Sequence, residues 1–260
     1  MSELPLVLIT GAANGIGRAT AMELARCGVR MGLIDIDSEG LEALATELRS
    51  VGATFVAEAA DVSRRHPLLQ AVREIESALG PVDVLVACAG FGTLTLVPDL
   101  ALDTLRRTFE VNMFGVAESI EAVLPGMLTR GRGHLVGVAS LAGYRGFPWM
   151  ISYSASKAAL IAYLEALRPG LARRGITITT VCPGFVRTAM STGVPYKRKM
   201  KMLEPEQAAI HLVRAVLERP RNCVFPWSMK MGLAILKLMP DRVFDWMMRR
   251  AGPEALVIDF

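Results

Sequence analysis

The chain has 260 residues, just over half of them hydrophobic, and a formal net charge of +4; this suits one large α/β domain or two small ones with a substantial core. No apolar run is long enough to span a bilayer, and no basic segment or small-residue cleavage site marks a secretory leader. The four cysteines, Cys27, Cys88, Cys182 and Cys223, form no CxxC pair and are expected as buried free thiols of a reducing, cytoplasmic compartment.

Seven short runs are expected as strands: 6–10, 31–35, 54–59, 82–89, 134–140, 176–182 and 222–225. They are nearly continuous in apolar or β-branched residues rather than alternating, as strands buried on both faces should be. Helices are expected between them, near 15–27, 38–50, 63–79, 103–130, 152–174 and 205–218, with Gly28 ending the first and Ser38 and Ser63 as N-caps. This alternation predicts a doubly wound parallel sheet in three α/β/α layers. Residues 1–226 are expected to form that domain and 227–260 a helical extension of it. In such sheets ligands bind where the strands end.

The first strand runs into TGAANGIG, with Gly11, Gly15 and Gly17 opening the first helix. Glycines there permit a tight turn and let backbone N–H groups approach a pyrophosphate. The second strand ends at Asp35, whose carboxylate suits ribose hydroxyls and would repel the additional phosphate of NADP. Ile36 follows it, and Asn14 rather than a cation precedes Gly15. NAD is therefore expected over NADP. Asp61 and Val62, after the third strand, are placed to meet the adenine.

The fifth strand ends in GVASLAG, offering the Ser140 hydroxyl; Asn112 lies inside the expected helix before it. SYSASK then sets Tyr153 and Lys157 one helical turn apart, on one face. A cation beside a phenol favours the phenolate and suits it to proton transfer near neutrality. The sixth strand is followed by PGFVRT.

In order, Thr10-Gly11-x-x-x-Gly15-x-Gly17, Asn112, Ser140, Tyr153-x-x-x-Lys157 and Pro183-Gly184 resemble the short-chain dehydrogenase/reductase family over roughly residues 5–225. The resemblance implies a Rossmann-type fold and hydride exchange between a nicotinamide and an alcohol or ketone. It makes Tyr153 the acid/base and assigns Lys157 to the nicotinamide ribose and to lowering the phenol pKa. It has Ser140 orient the substrate oxygen and Asn112 hold a relay water. It also implies a dinucleotide held by Thr10, Gly11, Asn14, Gly15, Ile16, Gly17, Asp35, Asp61, Val62, Ala89, Gly90, Tyr153, Lys157, Pro183, Gly184, Val186 and Thr188. One departure stands out: where the family has Asn-Asn-Ala-Gly, this chain has Ala87-Cys88-Ala89-Gly90. The side-chain bonds of those asparagines cannot form here.

Besides Ser140 and Tyr153, substrate-facing residues are expected in 141–150 and 185–203, among them Leu141, Tyr144, Phe147, Trp149, Met150, Met190, Val194, Tyr196 and Met202. Their apolar character points to a bulky hydrophobic alcohol or ketone, such as a steroid, retinoid, fatty or aromatic compound. An NADP-linked carbonyl reductase and a catalytically silent nucleotide sensor are the alternatives. The scattered His66, His134 and His211 predict no metal site. The segment 197–250 holds twelve Lys/Arg and five Asp/Glu, without zinc-finger spacing or an RNA-binding aromatic motif, so nucleic acid is not expected. Within it, 227–250 reads as two apolar helices joined at Pro240. They could cover the active site, form a subunit contact or rest on a membrane. A homodimer or homotetramer is expected from the resemblance, through the helices at 103–130 and 152–174.

Overall fold

The computed structural model describes residues 5–95, 97, 100–191 and 202–250. Seven strands form one parallel sheet: β1 (Leu6–Thr10), β2 (Arg30–Asp35), β3 (Phe55–Ala59), β4 (Val84–Ala87), β5 (Gly133–Val138), β6 (Ile176–Pro183) and β7 (Asn222–Phe225), in the order β3-β2-β1-β4-β5-β6-β7. The helices are α1 (Gly15–Arg26), α2 (Ser38–Ser50), α3 (Arg65–Leu79), α4 (Leu102–Phe109), α5 (Gly115–Arg130), α6 (Ile151–Ala172), α7 (Pro205–Glu218), α8 (Trp227–Leu238) and α9 (Asp241–Arg250).

Side chains alternate across a strand, and here both faces are covered. Leu6 and Leu8 of β1 join one core, against α3, α5 and α6 residues such as Leu68, Ile120 and Leu164. Val7 and Ile9 join the other, against Leu24 of α1, Leu44 of α2 and Leu212 of α7. All five β1 residues are buried, which is why the run lacks a polar alternation. Strand order reverses between β1 and β4, so the loops after these strands part there and leave a crevice at their carboxyl ends.

Three local expectations are corrected. Asp37, not Ser38, caps α2: its carboxylate accepts from the Gly40 amide at 2.9 Å, and Ser38 enters the helix. Ser63 does not cap α3, which begins at Arg65, because its amide and hydroxyl both donate to Asp61, at 2.9 and 2.7 Å. The single helix expected at 103–130 is interrupted by a π-turn, Glu110–Phe114, between α4 and α5. Of the cysteines only Cys182 is fully buried; Cys88 and Cys223 are half-buried and Cys27 is exposed.

His134 of β5 is fully buried, with Nε2 2.9 Å from Thr179 Oγ1 of β6. Burial, reinforced by Arg219, holds its pKa down at about 4. The unfolded chain therefore binds more protons between that value and about 6.5. The stabilisation from a neutral His134 is complete above about pH 6.5 and is lost as the pH falls toward about 4. Denaturant melts at about pH 7 and about pH 4.5 should differ by roughly 2–3 kcal/mol on this account. His134→Gln should flatten that difference; an unchanged pH slope in the variant would assign the acid lability elsewhere.

Candidate active site

The crevice is a cavity of about 840 Å³ running from the ends of β1 and β2 to the inner face of α8. At one end the β1–α1 turn is possible only with glycine. Gly11 has a φ of +71°, and a Cβ there would stand 2.6 Å from the Ala89 backbone; a Cβ at Gly17 would stand 1.9 Å from the Gly11 carbonyl oxygen. The turn thus brings the start of α1 against the loop after β4, with its N-terminal amides at the cavity wall.

Asp35 stands beside this turn. One carboxylate oxygen accepts from the Ala13 amide at 2.9 Å and the other from the Asp37 amide at 3.1 Å. Each oxygen keeps a lone pair for a further donor. The Asn14 side chain donates to Asp37 at 2.8 Å, and Asp37 is held below the usual carboxylate range, chiefly by the Gly40 amide and then by Asn14. Asp61 lines the same region. Burial pulls its pKa upward, but Ser63 and Arg107 outweigh this and keep it low. Among the described lining residues the cations are Arg107, 3.3 Å from Asp61, and Lys157.

Midway along the cavity lie Ser140, Tyr153 and Lys157. Ser140 caps a short turn at Leu141–Gly143, its Oγ accepting from the Ala142 amide at 3.2 Å. Lys157 is buried, and its Nζ donates to the Val138 carbonyl at 2.8 Å and sits 5.7 Å from the centre of the Tyr153 ring. Burial lowers its pKa to about 8. The Cys88 thiol, pushed up to about 12 by burial against the pull of Lys157, stays protonated. Gly92 backs the phenol: a Cβ there would lie 2.9 Å from Tyr153 Cδ2. A phenol, an ammonium and a hydroxyl gathered in one cavity can exchange a proton with a substrate oxygen.

Asn112 lies in the π-turn, fully buried. Its Oδ1 accepts from the Phe91 amide at 2.7 Å, and its Nδ2 donates to the Phe91 carbonyl at 2.8 Å and to Ser156 Oγ at 2.9 Å. π-turns recur at functional sites; this one turns a polar side chain onto the loop after β4 and onto α6. Asn112 therefore ties Phe91, in the loop that follows Ala87 and Cys88, to α6. Ser156 Oγ in turn donates to the Tyr153 carbonyl at 2.8 Å.

Most sequence-predicted residues line the cavity: Gly11, Asn14, Gly15, Ile16, Gly17, Asp35, Asp61, Val62, Ala89, Gly90, Leu141, Trp149, Met150, Pro183, Gly184, Val186, Thr188 and Met190 join the central three. Four do not. Thr10 is buried beneath the turn, Asn112 lies behind the wall, Tyr144 faces a neighbouring cleft with its hydroxyl 3.7 Å from Cys182 Sγ, and Met202 is half-buried away from the cavity. Val194 and Tyr196 lie outside the described residues. Unforeseen contributors are Cys88, Phe91, Arg107, Met229, Leu236 and Met248. The last three belong to α8 and α9, which close the apolar end.

Arg145 holds these helices in place. It donates to Asp241 at 2.7 Å and to the Met239 carbonyl, and its guanidinium lies 4.8 Å from the centre of the Phe244 ring. Phe244 also meets Phe147 edge-on, their centroids 6.2 Å apart. The α8–α9 connection is thereby fastened to the segment carrying Phe147, Trp149 and Met150.

The sequence model of a family described as short chain dehydrogenase matches residues 5–199. A Myxococcus xanthus protein described as an uncharacterized oxidoreductase is 35% identical over 243 residues, 94% of this chain and 96% of its own. Rat estradiol 17-beta-dehydrogenase 11 is 34% identical over 251 residues, 94% of this chain and 83% of its own. A short chain dehydrogenase/reductase from Burkholderia phymatum, solved in complex with NAD, superposes with a TM-score of 0.82 at 25% identity, covering 90% of this chain and 92% of its own.

Proposed function

Because the chain belongs to the short-chain dehydrogenase family, we propose that it exchanges a hydride between NAD(H) and a hydrophobic secondary alcohol or ketone, with Tyr153 as general acid/base. The observation that carries this reading is one continuous cavity. It has the glycine turn and Asp35 at one end, Ser140, Tyr153 and Lys157 in the middle, and an apolar wall of Phe147, Trp149, Met150, Met190 and Leu236 at the other.

The glycine turn fits a dinucleotide, since only the lack of side chains at Gly11 and Gly17 lets the backbone pack this tightly and keep the start of α1 at the cavity wall. When bound, that cofactor supplies the hydride acceptor or donor. The remaining tasks belong to the chain. Gly11, Gly15 and Gly17 keep the turn close enough for backbone amides to meet phosphates. Asp35 takes the ribose hydroxyls of the adenosine half. Ser140 orients the substrate oxygen. Tyr153 accepts the alcohol proton during oxidation and returns one to oxygen during reduction. Lys157, a buried cation fixed on the Val138 carbonyl, favours the phenolate. Met190, Met229 and Met248 are adaptable surfaces for a bulky apolar substrate. A screen of hydrophobic alcohols and ketones with each cofactor, following reduced-nicotinamide absorbance, tests this. Nucleotide binding without turnover of any compound would favour the silent-sensor alternative.

NAD is favoured because an additional phosphate would face Asp35 and Asp37, while the nearby Arg107 is engaged by Asp61. Asp35→Ala is expected to raise the NADP/NAD ratio of kcat/KM by about tenfold or more. NAD affinity should also fall, since the Ala13 amide loses its acceptor. An unchanged ratio would remove Asp35 as the selector.

A further inference from the structure

Helix α8 is apolar on two sides. Met229, Gly232 and Leu236 line the cavity. Trp227, Met231, Ile235 and Leu238 are instead exposed, at 72, 53, 62 and 85%. Spacings of four, four and three residues put these four on one stripe of the helix. Single exposed hydrophobics are ordinary, but a row of four marks an interaction surface. Helix α9 continues the pattern with exposed Val243 and Trp246, and the Arg250 guanidinium lies 3.9 Å from the centre of the Trp246 ring. Residues 227–250 carry five Lys/Arg and two Asp/Glu, and none of the acidic residues lies in α8.

We propose that α8 and α9 rest on an anionic lipid surface, with the exposed stripe in the headgroup boundary and the exposed Arg242, Arg249 and Arg250 on the headgroups. Charge selects this occupant over a second copy of the chain. A symmetric self-contact would bring the same basic patches together. Spanning is excluded by length, since twelve helical residues reach about 18 Å and no described helix is long and apolar enough to cross a membrane. Because the inner side of α8 walls the apolar end of the cavity, a substrate dissolved in lipid would enter beside the docked helix. This last point rests on the hydrophobic-substrate reading; the docking does not.

The test mixes the full chain with phosphatidylcholine vesicles, with and without phosphatidylserine, and reads co-sedimentation and tryptophan emission. The protein should sediment with the anionic vesicles, shift its emission to the blue and release as salt is raised. Ile235→Ser combined with Leu238→Ser should weaken binding at least about tenfold. Neither residue lines the cavity, so nucleotide affinity should stay unchanged and report a folded variant. Five outcomes would overturn the proposal: no sedimentation, equal binding to neutral vesicles, indifference to the paired substitution, binding that appears only after residues 251–260 are removed, or a dimer on size exclusion that the paired substitution dissociates. Vesicle binding requires no turnover, so failure of the redox reading would leave this result standing.

Discussion

Tyr153→Phe should lower kcat about a thousandfold while leaving the dinucleotide Kd within about twofold. The substitution removes one hydroxyl and keeps the ring, so the close approach of Gly92 and the nearby Lys157 ammonium are undisturbed. Neither Ser140 nor Cys88, which share this part of the cavity, can take over. Ser140 has a hydroxyl, but its ordinary pKa lies far above that of a phenol. Cys88, pushed up to about 12, offers no thiolate near neutrality. Single-turnover reduction of a hydrophobic ketone, alongside nucleotide binding by fluorescence, separates chemistry from affinity. Residual turnover within about tenfold of the parent would mean that another group or water moves the proton.

Lys157→Met is expected to lose activity by about 10²- to 10³-fold and, unlike the phenylalanine variant, to weaken nucleotide binding too. Its effect on stability should run the other way. Burial depresses the Lys157 pKa to about 8, so holding the cation in the folded protein is unfavourable. Between that value and about 10.5 the unfolded chain binds the additional proton. The parent's stability should therefore rise with pH across that window, and below about pH 8 the full cost of the buried charge remains. The methionine variant should lack the rise and melt no lower than the parent at neutral pH, despite losing the hydrogen bond to Val138. Deprotonation should also give the parent an alkaline fall in kcat/KM for the dinucleotide above about pH 8. Thermal melts and initial rates from about pH 7 to about pH 10 test both statements. A variant that melts much lower than the parent would make Lys157 a structural residue first.

The sheet was legible because two-sided burial leaves an unmistakable imprint: LVLIT and ITITTVC contain no charged residue, and their neighbours carry the helical spacing. The cavity floor was legible for a related reason. Glycine turns and the Tyr153–Lys157 pair are local in sequence, so their spacing states their geometry. What escaped was non-local. The π-turn at Glu110–Phe114 leaves no compositional mark, and a helix running through it fits the pattern equally well. Ser38 and Ser63 are plausible caps until Asp37 and Asp61 compete for the same amides and hydroxyls. Met229, Leu236 and Met248 belong to a segment whose hydrophobicity announced an interaction without naming its partner. The clasp of Arg145 on Asp241 and the Met239 carbonyl, with Phe244 packed on Phe147, holds that segment over the cavity. Tyr144 departs from the expectation because Leu141, Phe147, Trp149 and Met150 face the cavity, whereas its own ring packs against the core beside Cys182.

The widened turn at Glu110–Phe114 fixes the phase of everything after it. Each residue of an α-helix advances the azimuth by about 100°. Winding all five of these residues as regular α-helix would swing the following helix by about that angle. Val116, Ile120 and Val123 would then leave their places over the sheet, and Asn112 could no longer grip both polar groups of Phe91. The phase of the second half of the molecule is thus set beside its own cavity, where the winding of this turn cannot tighten without dismantling packing and chemistry together.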